Sequence, residues 1–185
     1  MIKQNTQIDV LFYVQHLLGI GHQRRAATLT RAMNKVGLSV AFVSGGMEVP
    51  GLDTGTAKFY QLDPIRSDGI YFKELLDIND QPIDKKFKEN RAHQLVQIYQ
   101  QTRPKLILLE MFPFGRRQMR FELIPLLEAV RQTDCPPKVI SSVRDILVKA
   151  PKAERITEML EWIDNHFDHV LIHGDPNLIP FDKTF

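Results

Sequence analysis

Short apolar runs alternate along the chain with longer stretches in which apolar residues recur every three or four positions. The runs with the length and apolar content of strands cover residues 8–14, 38–43, 58–62, 105–110, 139–142 and 168–173. Near-continuous apolar runs of this length are typical of parallel strands in a sheet that is covered on both faces.

Four amphipathic stretches lie between these runs and predict helices. The stripes that define them are Ala26, Leu29, Met33 and Val36; Phe87, Arg91, Leu95 and Ile98; Met119, Leu123, Leu127 and Val130; and Ile156, Met159, Leu160, Ile163 and Phe167. Gly37 follows the first stripe at the position of a helix C-cap. Residues 64–84 are polar and weakly patterned, so we expect a long surface loop there, with one short helix near residues 72–76.

This alternation predicts a single doubly wound α/β domain over residues 1–185. The expected architecture is a Rossmann-like, mostly parallel sheet with helices on both faces. The sequence has no internal repeat and no Ser/Gly-rich linker that would divide it.

Composition narrows the class of protein. The 185 residues include 24 Lys and Arg against 22 Asp and Glu, a formal net charge of +2, so no global field attracts nucleic acid and any anion site must be local. The single cysteine, Cys135, fits a reducing cytoplasm and excludes iron–sulfur or zinc sites built from several thiolates. The N-terminus has no apolar segment and cleavage site of a signal peptide, so we expect a cytoplasmic protein.

Residues with chemical potential follow the strands, and ligands of open α/β sheets bind beyond the carboxyl ends of strands. The first such loop contains Gly19 and Gly21 just before a helix, which suggests backbone amides that face an anion. Arg24 stands where a dinucleotide fingerprint needs a small residue, so no NAD or FAD cofactor is expected. A tight glycine turn without a ligand is the alternative.

His22 lies at the predicted start of the first helix, where the positive end of the helix dipole favours a neutral imidazole. It is therefore a candidate general base, and the alternative is a histidine that caps the helix. Glu110 ends a strand and could order a substrate hydroxyl, or instead pair with Arg116, Arg117 or Arg144.

A metal site is not expected. His169 and His173 are four residues apart on one strand, about 13 Å, which is too far to share one ion. No Asp-x-Asp pair is present to hold a divalent ion on a nucleotide diphosphate.

The loop after the fourth strand is apolar and basic, with Phe112 and Phe114 next to Arg116 and Arg117. One interpretation is a loop folded onto its own core. The other is contact with a lipid-phosphate acceptor or with the membrane surface, which would make the protein peripheral to the inner membrane face.

Taken together, these motifs resemble a group of bacterial glycosyltransferases similar to the MurG-type enzymes, which have the GT-B fold. The segments that carry the resemblance are residues 13–22 with Arg24 and Arg25 after them, 110–117, 142–147 and 173–176. Family members typically have a Gly-Gly-Thr-Gly-Gly-His loop, of which Leu18-Gly19-Ile20-Gly21-His22 keeps two glycines and the histidine.

The resemblance implies the N-terminal, acceptor-binding half of an inverting, metal-independent glycosyltransferase that uses a nucleotide sugar, usually a UDP-sugar. It implies His22 as catalytic base for a hydroxyl-bearing acceptor that is lipid- or phosphate-linked. The residues assigned to substrate binding are Gly19, Gly21, Arg24, Glu110, Arg144 and His173.

The resemblance also implies that the chain lacks the C-terminal nucleotide-sugar domain and is inactive by itself. Two alternatives stay open. One is half of a UDP-sugar 2-epimerase-like enzyme, and the other is a non-catalytic binding subunit of a split enzyme.

Overall fold

The apolar runs form strands, and the amphipathic stretches form helices that cover them. The computed structural model describes residues 7–69, 74–144 and 153–175. In these ranges the elements are β1 (Val10–Val14), α1 (Gly21–Lys35), β2 (Val40–Ser44), β3 (Lys58–Gln61), β4 (Arg66–Ser67), β5 (Leu75–Leu76), α2 (Lys85–Thr102), β6 (Leu106–Glu110), a 3₁₀ turn (Arg117–Met119), α3 (Arg120–Arg131), β7 (Lys138–Arg144), α4 (Ala153–His166) and β8 (His169–His173).

Six strands form one parallel sheet in the order β3-β2-β1-β6-β7-β8. The chain runs outward from β1 to β3 and then crosses to β6 on the other side of β1. The strand order therefore reverses between β1 and β6, and the crevice at such a switch point is where α/β sheets bind ligands. The predicted doubly wound α/β fold is confirmed.

The sheet is buried on both faces because successive side chains of a strand point to opposite sides. Leu11 and Tyr13 of β1 pack in a core with residues of α2 and α3, whereas Phe12 and Val14 pack in a second core with Ala26 of α1. All five residues of β1 are buried, and so are all five of β2. This explains why both strands are continuously apolar.

Three local expectations are wrong. Val36 is 76% exposed although it was placed on the core stripe of the first helix. Leu75–Leu76 is a strand that pairs antiparallel with Arg66–Ser67, so the short helix expected near residues 72–76 is not there; residues 70–73 lie outside the described ranges. Leu160 is 44% exposed although it was placed on the core stripe of the last helix. Met159 of the same stripe is buried as predicted. Trp162, which was not on the stripe, packs against the core, and its ring meets that of Phe112 at a centroid distance of 6.3 Å.

Gly37 follows α1 with φ of +87°, and its amide donates to the carbonyl of Asn34. The predicted glycine C-cap is thus confirmed, since an L side chain rarely adopts this conformation. Among the described helices, none combines the length and apolar character that a bilayer span requires.

Candidate active site

The carboxylate of Glu110 is the centre of the site at the switch point. Glu110 is the last residue of β6 and is fully buried. Its Oε1 accepts hydrogen bonds from His22 Nδ1 at 2.9 Å and from the Arg25 guanidinium, and its Oε2 accepts one from Ser142 Oγ at 3.0 Å. A buried carboxylate is costly to desolvate, and these three donors offset that cost.

Three parallel strands and one helix place these groups. His22 and Arg25 are three residues apart in α1, so they lie on one face of the helix. Ser142 pairs with Glu110 in the register of β6 and β7. His173, the last residue of β8, brings its Nε2 to 3.0 Å from Ser142 Oγ and extends the network to the edge strand.

The hydrogen bonds fix the positions of the protons. A carboxylate only accepts, so His22 Nδ1 carries the hydrogen of this bond, and Nε2 is the ring nitrogen not engaged by Glu110. The one hydroxyl proton of Ser142 goes to Glu110, so His173 donates from Nε2 to the Ser142 oxygen. The His22 side chain is 24% exposed, which leaves the ring accessible at the surface of the crevice.

Electrostatics keep Glu110 charged. Burial would raise the pKa of its carboxyl, but the hydrogen bond from His22 and the charge of Arg25 outweigh burial and lower it below the ordinary 4.5. The pKa of His173 is lowered by burial and by the nearby Arg25 charge, so its ring is held neutral at neutral pH.

The structure brings together only some of the residues expected at the site. His22, Glu110 and His173 belong to one hydrogen-bonded network, whereas Arg24 lies in an exposed groove with Thr28 and Arg31. Arg144 is exposed at the end of β7. Asp145, which follows Arg144 in the sequence, lies outside the described residues.

The pairing considered for Glu110 with Arg116, Arg117 or Arg144 is wrong, because its cation is Arg25. Glu110 is fully buried, so its carboxylate is not exposed to a ligand in the crevice. Sequence reasoning missed Arg25 and gave Ser142 no role. The spacing of His22 and Arg25 on one helical face was the available signal for Arg25.

Gly19 and Gly21, at the start of α1, have open space around them. A Cβ added at Gly19 or Gly21 would meet no atom within 4 Å, and neither glycine has a positive φ. No side-chain hydrogen bond caps the start of α1 at Ile20. A strained turn is therefore not the reason for these two glycines.

The glycines that the structure requires are Gly45 and Gly46, directly after β2. A Cβ at Gly45 would lie 2.2 Å from Gln15 Oε1, and one at Gly46 would lie 2.3 Å from His16 Nδ1. The backbone after β2 thus passes directly against the buried side chains that follow β1.

Phe112 is 1% exposed and packs against Trp162 and Phe167, so the expectation that it contacts a membrane is wrong. The loop is folded onto its core at this residue, which was the other interpretation. Phe114 and Arg116 are partly exposed, and Arg117 is exposed. In the described ranges no three His, Cys, Asp or Glu side chains are grouped as metal ligands.

Comparison with known proteins identifies the fold of this chain. No protein-family model and no curated protein matches the sequence. Among solved structures, CalG4, the calicheamicin glycosyltransferase, is similar at 8% identity with a TM-score of 0.50; the match covers 97% of this chain and 51% of that one. A UGT transferase from Siraitia grosvenorii, solved in complex with UDP, is similar at 13% identity with a TM-score of 0.41, over 85% of this chain and 32% of the other.

The fold is therefore that of about half of a glycosyltransferase chain. The chain spans about half the length of CalG4 and a third of the UGT transferase.

Proposed function

We propose that this chain is the acceptor-binding half of an inverting glycosyltransferase in which His22 is the general base. The observation that carries the proposal is the 2.9 Å hydrogen bond from His22 Nδ1 to the buried carboxylate of Glu110. A histidine oriented by a buried carboxylate, with its second nitrogen accessible, is an arrangement that removes protons from hydroxyl groups.

In the proposed reaction, the acceptor hydroxyl loses its proton to His22 Nε2 while its oxygen attacks the anomeric carbon of a nucleotide sugar. The new bond joins the acceptor oxygen to the anomeric carbon, and the bond from that carbon to the diphosphate oxygen breaks. A single displacement inverts the anomeric centre. The Glu110 charge stabilises the imidazolium that forms, and Ser142 and Arg25 hold Glu110 in place.

The nucleotide sugar would be bound by a second domain or subunit, and residues 1–185 would form the acceptor domain. Similarity of almost the whole chain to half of the CalG4 chain supports this division. Gly19, Gly21 and Arg144 at the rim would face the acceptor or the diphosphate. The isolated chain would then bind acceptor and turn over nothing.

The test is transfer activity of the native protein together with the domain or subunit that carries its donor site. UDP-sugars are the first donors to try, and release of UDP with a candidate acceptor is the signal. His22→Ala should lower kcat by about 10²-fold or more, the usual contribution of a positioned base. His93→Ala, a change at an exposed histidine on α2, is the matched control and should leave kcat unchanged.

Near-complete activity of His22→Ala would exclude the base assignment. Product analysis provides a further check, because conversion of the sugar nucleotide without any acceptor would indicate an epimerase instead.

A further inference from the structure

A basic pocket lies beside the candidate active site, where α3 and α4 begin. Its volume is about 230 Å³, and four arginines and one glutamate line it: Arg116, Arg117, Arg120, Arg155 and Glu158. The excess of three positive charges is larger than the net charge of +2 on the whole chain. The pocket is therefore a local concentration of positive charge.

The carboxylate of Glu158 organises two of these arginines without neutralising the pocket. Its Oε2 lies 3.1 Å from Arg117 Nη2, and its Oε1 contacts the guanidinium of Arg120. Each guanidinium has five N–H donors, so most of them remain for another acceptor. The hydrogen bond from Arg120 lowers the pKa of Glu158, which keeps this carboxylate charged and the two arginines in position.

Arg116 connects the pocket to the candidate active site. Its Nε donates to the carbonyl of Gln15 at 2.7 Å, and its charge interacts with that of Glu110. Within the described residues, no carboxylate lies within 4 Å of its guanidinium. A partly buried guanidinium without a carboxylate is less favourable than a paired one, and an anionic ligand would supply its partner.

The helices add to the positive potential. Arg117 and Arg120 stand at the start of α3, and Arg155 lies in the first turn of α4. The N-terminal end of a helix carries a partial positive charge, so arginines are unfavourable there and an anion is favourable. Three arginines at two helix starts therefore favour a bound anion in addition to Glu158, the one carboxylate among the lining residues named above.

We propose that this pocket binds a phosphate group. Guanidinium groups bind phosphate through paired hydrogen bonds, and several of them around one small pocket fit a phosphomonoester or a diphosphate ester. Trp162 and Met159 form an apolar wall for the organic part of the ligand. That the phosphate belongs to the acceptor rests on the proposed function, and it would place the acceptor hydroxyl on the His22 side of Arg116.

Calorimetric titration of the 185-residue chain with inorganic pyrophosphate tests the pocket directly. The double variant Arg117→Gln/Arg155→Gln changes two exposed side chains, and we expect its affinity to fall by about tenfold or more. Arg131→Gln removes an exposed arginine at the other end of α3 and should leave the affinity unchanged. Absence of binding, or an equal loss in both variants, would overturn the proposal.

A second arm distinguishes the source of the phosphate. The same proteins are sedimented with phosphatidylcholine vesicles that contain or lack phosphatidic acid. Recruitment only by phosphatidic acid, lost in the double variant and kept in Arg131→Gln, assigns the pocket to a lipid-borne phosphate. Pyrophosphate binding without recruitment assigns it to a soluble phosphate ester.

This result is independent of the proposed base. His22 does not line the pocket, so pyrophosphate titration tests the pocket without testing the base. Pyrophosphate binding with no sugar transfer would contradict the proposed function but support the phosphate site. Sugar transfer with no pyrophosphate binding would contradict only the phosphate site.

Discussion

The buried carboxylate of Glu110 accepts hydrogen bonds from His22 and Arg25 of α1 and from Ser142 of β7. Glu110→Gln keeps the shape but removes the charge that Arg25 and His22 bind, so we expect unfolding free energy at neutral pH to fall by about 2 kcal/mol. Urea denaturation measures this change.

The pH dependence of that difference follows from the lowered pKa of Glu110. Below its ordinary value of 4.5 the unfolded chain binds a proton before the folded chain does, so this stabilisation is lost as pH falls. The difference in unfolding free energy between the unchanged chain and Glu110→Gln should therefore become smaller as pH falls. Glu128→Gln, at an exposed position on α3, is the control and should show no such gap. A gap that persists unchanged to pH 3 would contradict the assignment of charge to Glu110.

Sequence reasoning reached both His22 and Glu110 but not the contact between them. The start of a helix can be read from local spacing, and so His22 was placed correctly. The contact with Glu110 joins positions 88 residues apart and exists only because β6 crosses over to lie beside β1. Local patterns carry no information on strand order, so the pairing with Arg25 could not be predicted from them.

The chain after β2 can lie against the chain after β1 because Gly45 and Gly46 have no side chains. Gly45→Ala would place a methyl group 2.2 Å from Gln15 Oε1 and 2.5 Å from Arg91 Nη2, both of which are buried. We expect a loss of about 1–3 kcal/mol in unfolding free energy, the usual cost of overpacking.

Gly21→Ala is the matched control, because it changes a glycine in the same rim. Its Cβ meets no atom within 4 Å and its backbone is helical, so the substitution should be neutral or stabilise by about 0.5–1 kcal/mol. Thermal or urea unfolding of Gly45→Ala and Gly21→Ala measures the stability of each variant against the unchanged chain. Equal stability of both would show that the backbone after β2 relaxes away from Gln15.

Elements with strong periodicity were predictable, and short elements were not. The burial of Leu123, Leu127 and Val130 follows from their helical spacing alone. The two-residue strands β4 and β5 are too short to show a period, and their pairing depends on the loop around them. Leu160 shows a third limit, since the stripe on α4 fits two neighbouring faces and only packing against Phe112 selects one.

Across the whole molecule, the buried side chain of Arg91 connects α2 to α3 and to the segments after β1 and β2. Arg91 of α2 is fully buried and binds both carboxylate oxygens of Glu122 on α3. It also donates to the side chain of Gln15 after β1 at 2.6 Å and to the carbonyl of Gly45 after β2 at 2.9 Å. The hydroxyl of Tyr13 completes the group by donating to Glu122. The core behind the rim is therefore held by one charged residue rather than by apolar packing alone.

This arrangement predicts strong coupling between the two charges. Arg91→Met leaves Glu122 buried without a cation and should lower the unfolding free energy by about 3–5 kcal/mol. Glu122→Gln added to it removes the unpaired charge and keeps an oxygen for the Tyr13 hydroxyl, so the double variant should be more stable than Arg91→Met. Urea unfolding of the wild type, both single variants and the double variant gives the coupling energy.

Arg131→Met and Glu128→Gln, both at exposed positions of α3, form a control pair. Each should change the unfolding free energy by no more than about 0.5 kcal/mol, and the two changes should be additive in the double variant. If the buried pair were also additive, each residue would stabilise the fold through packing of its own, and the rim would not depend on the charge between α2 and α3.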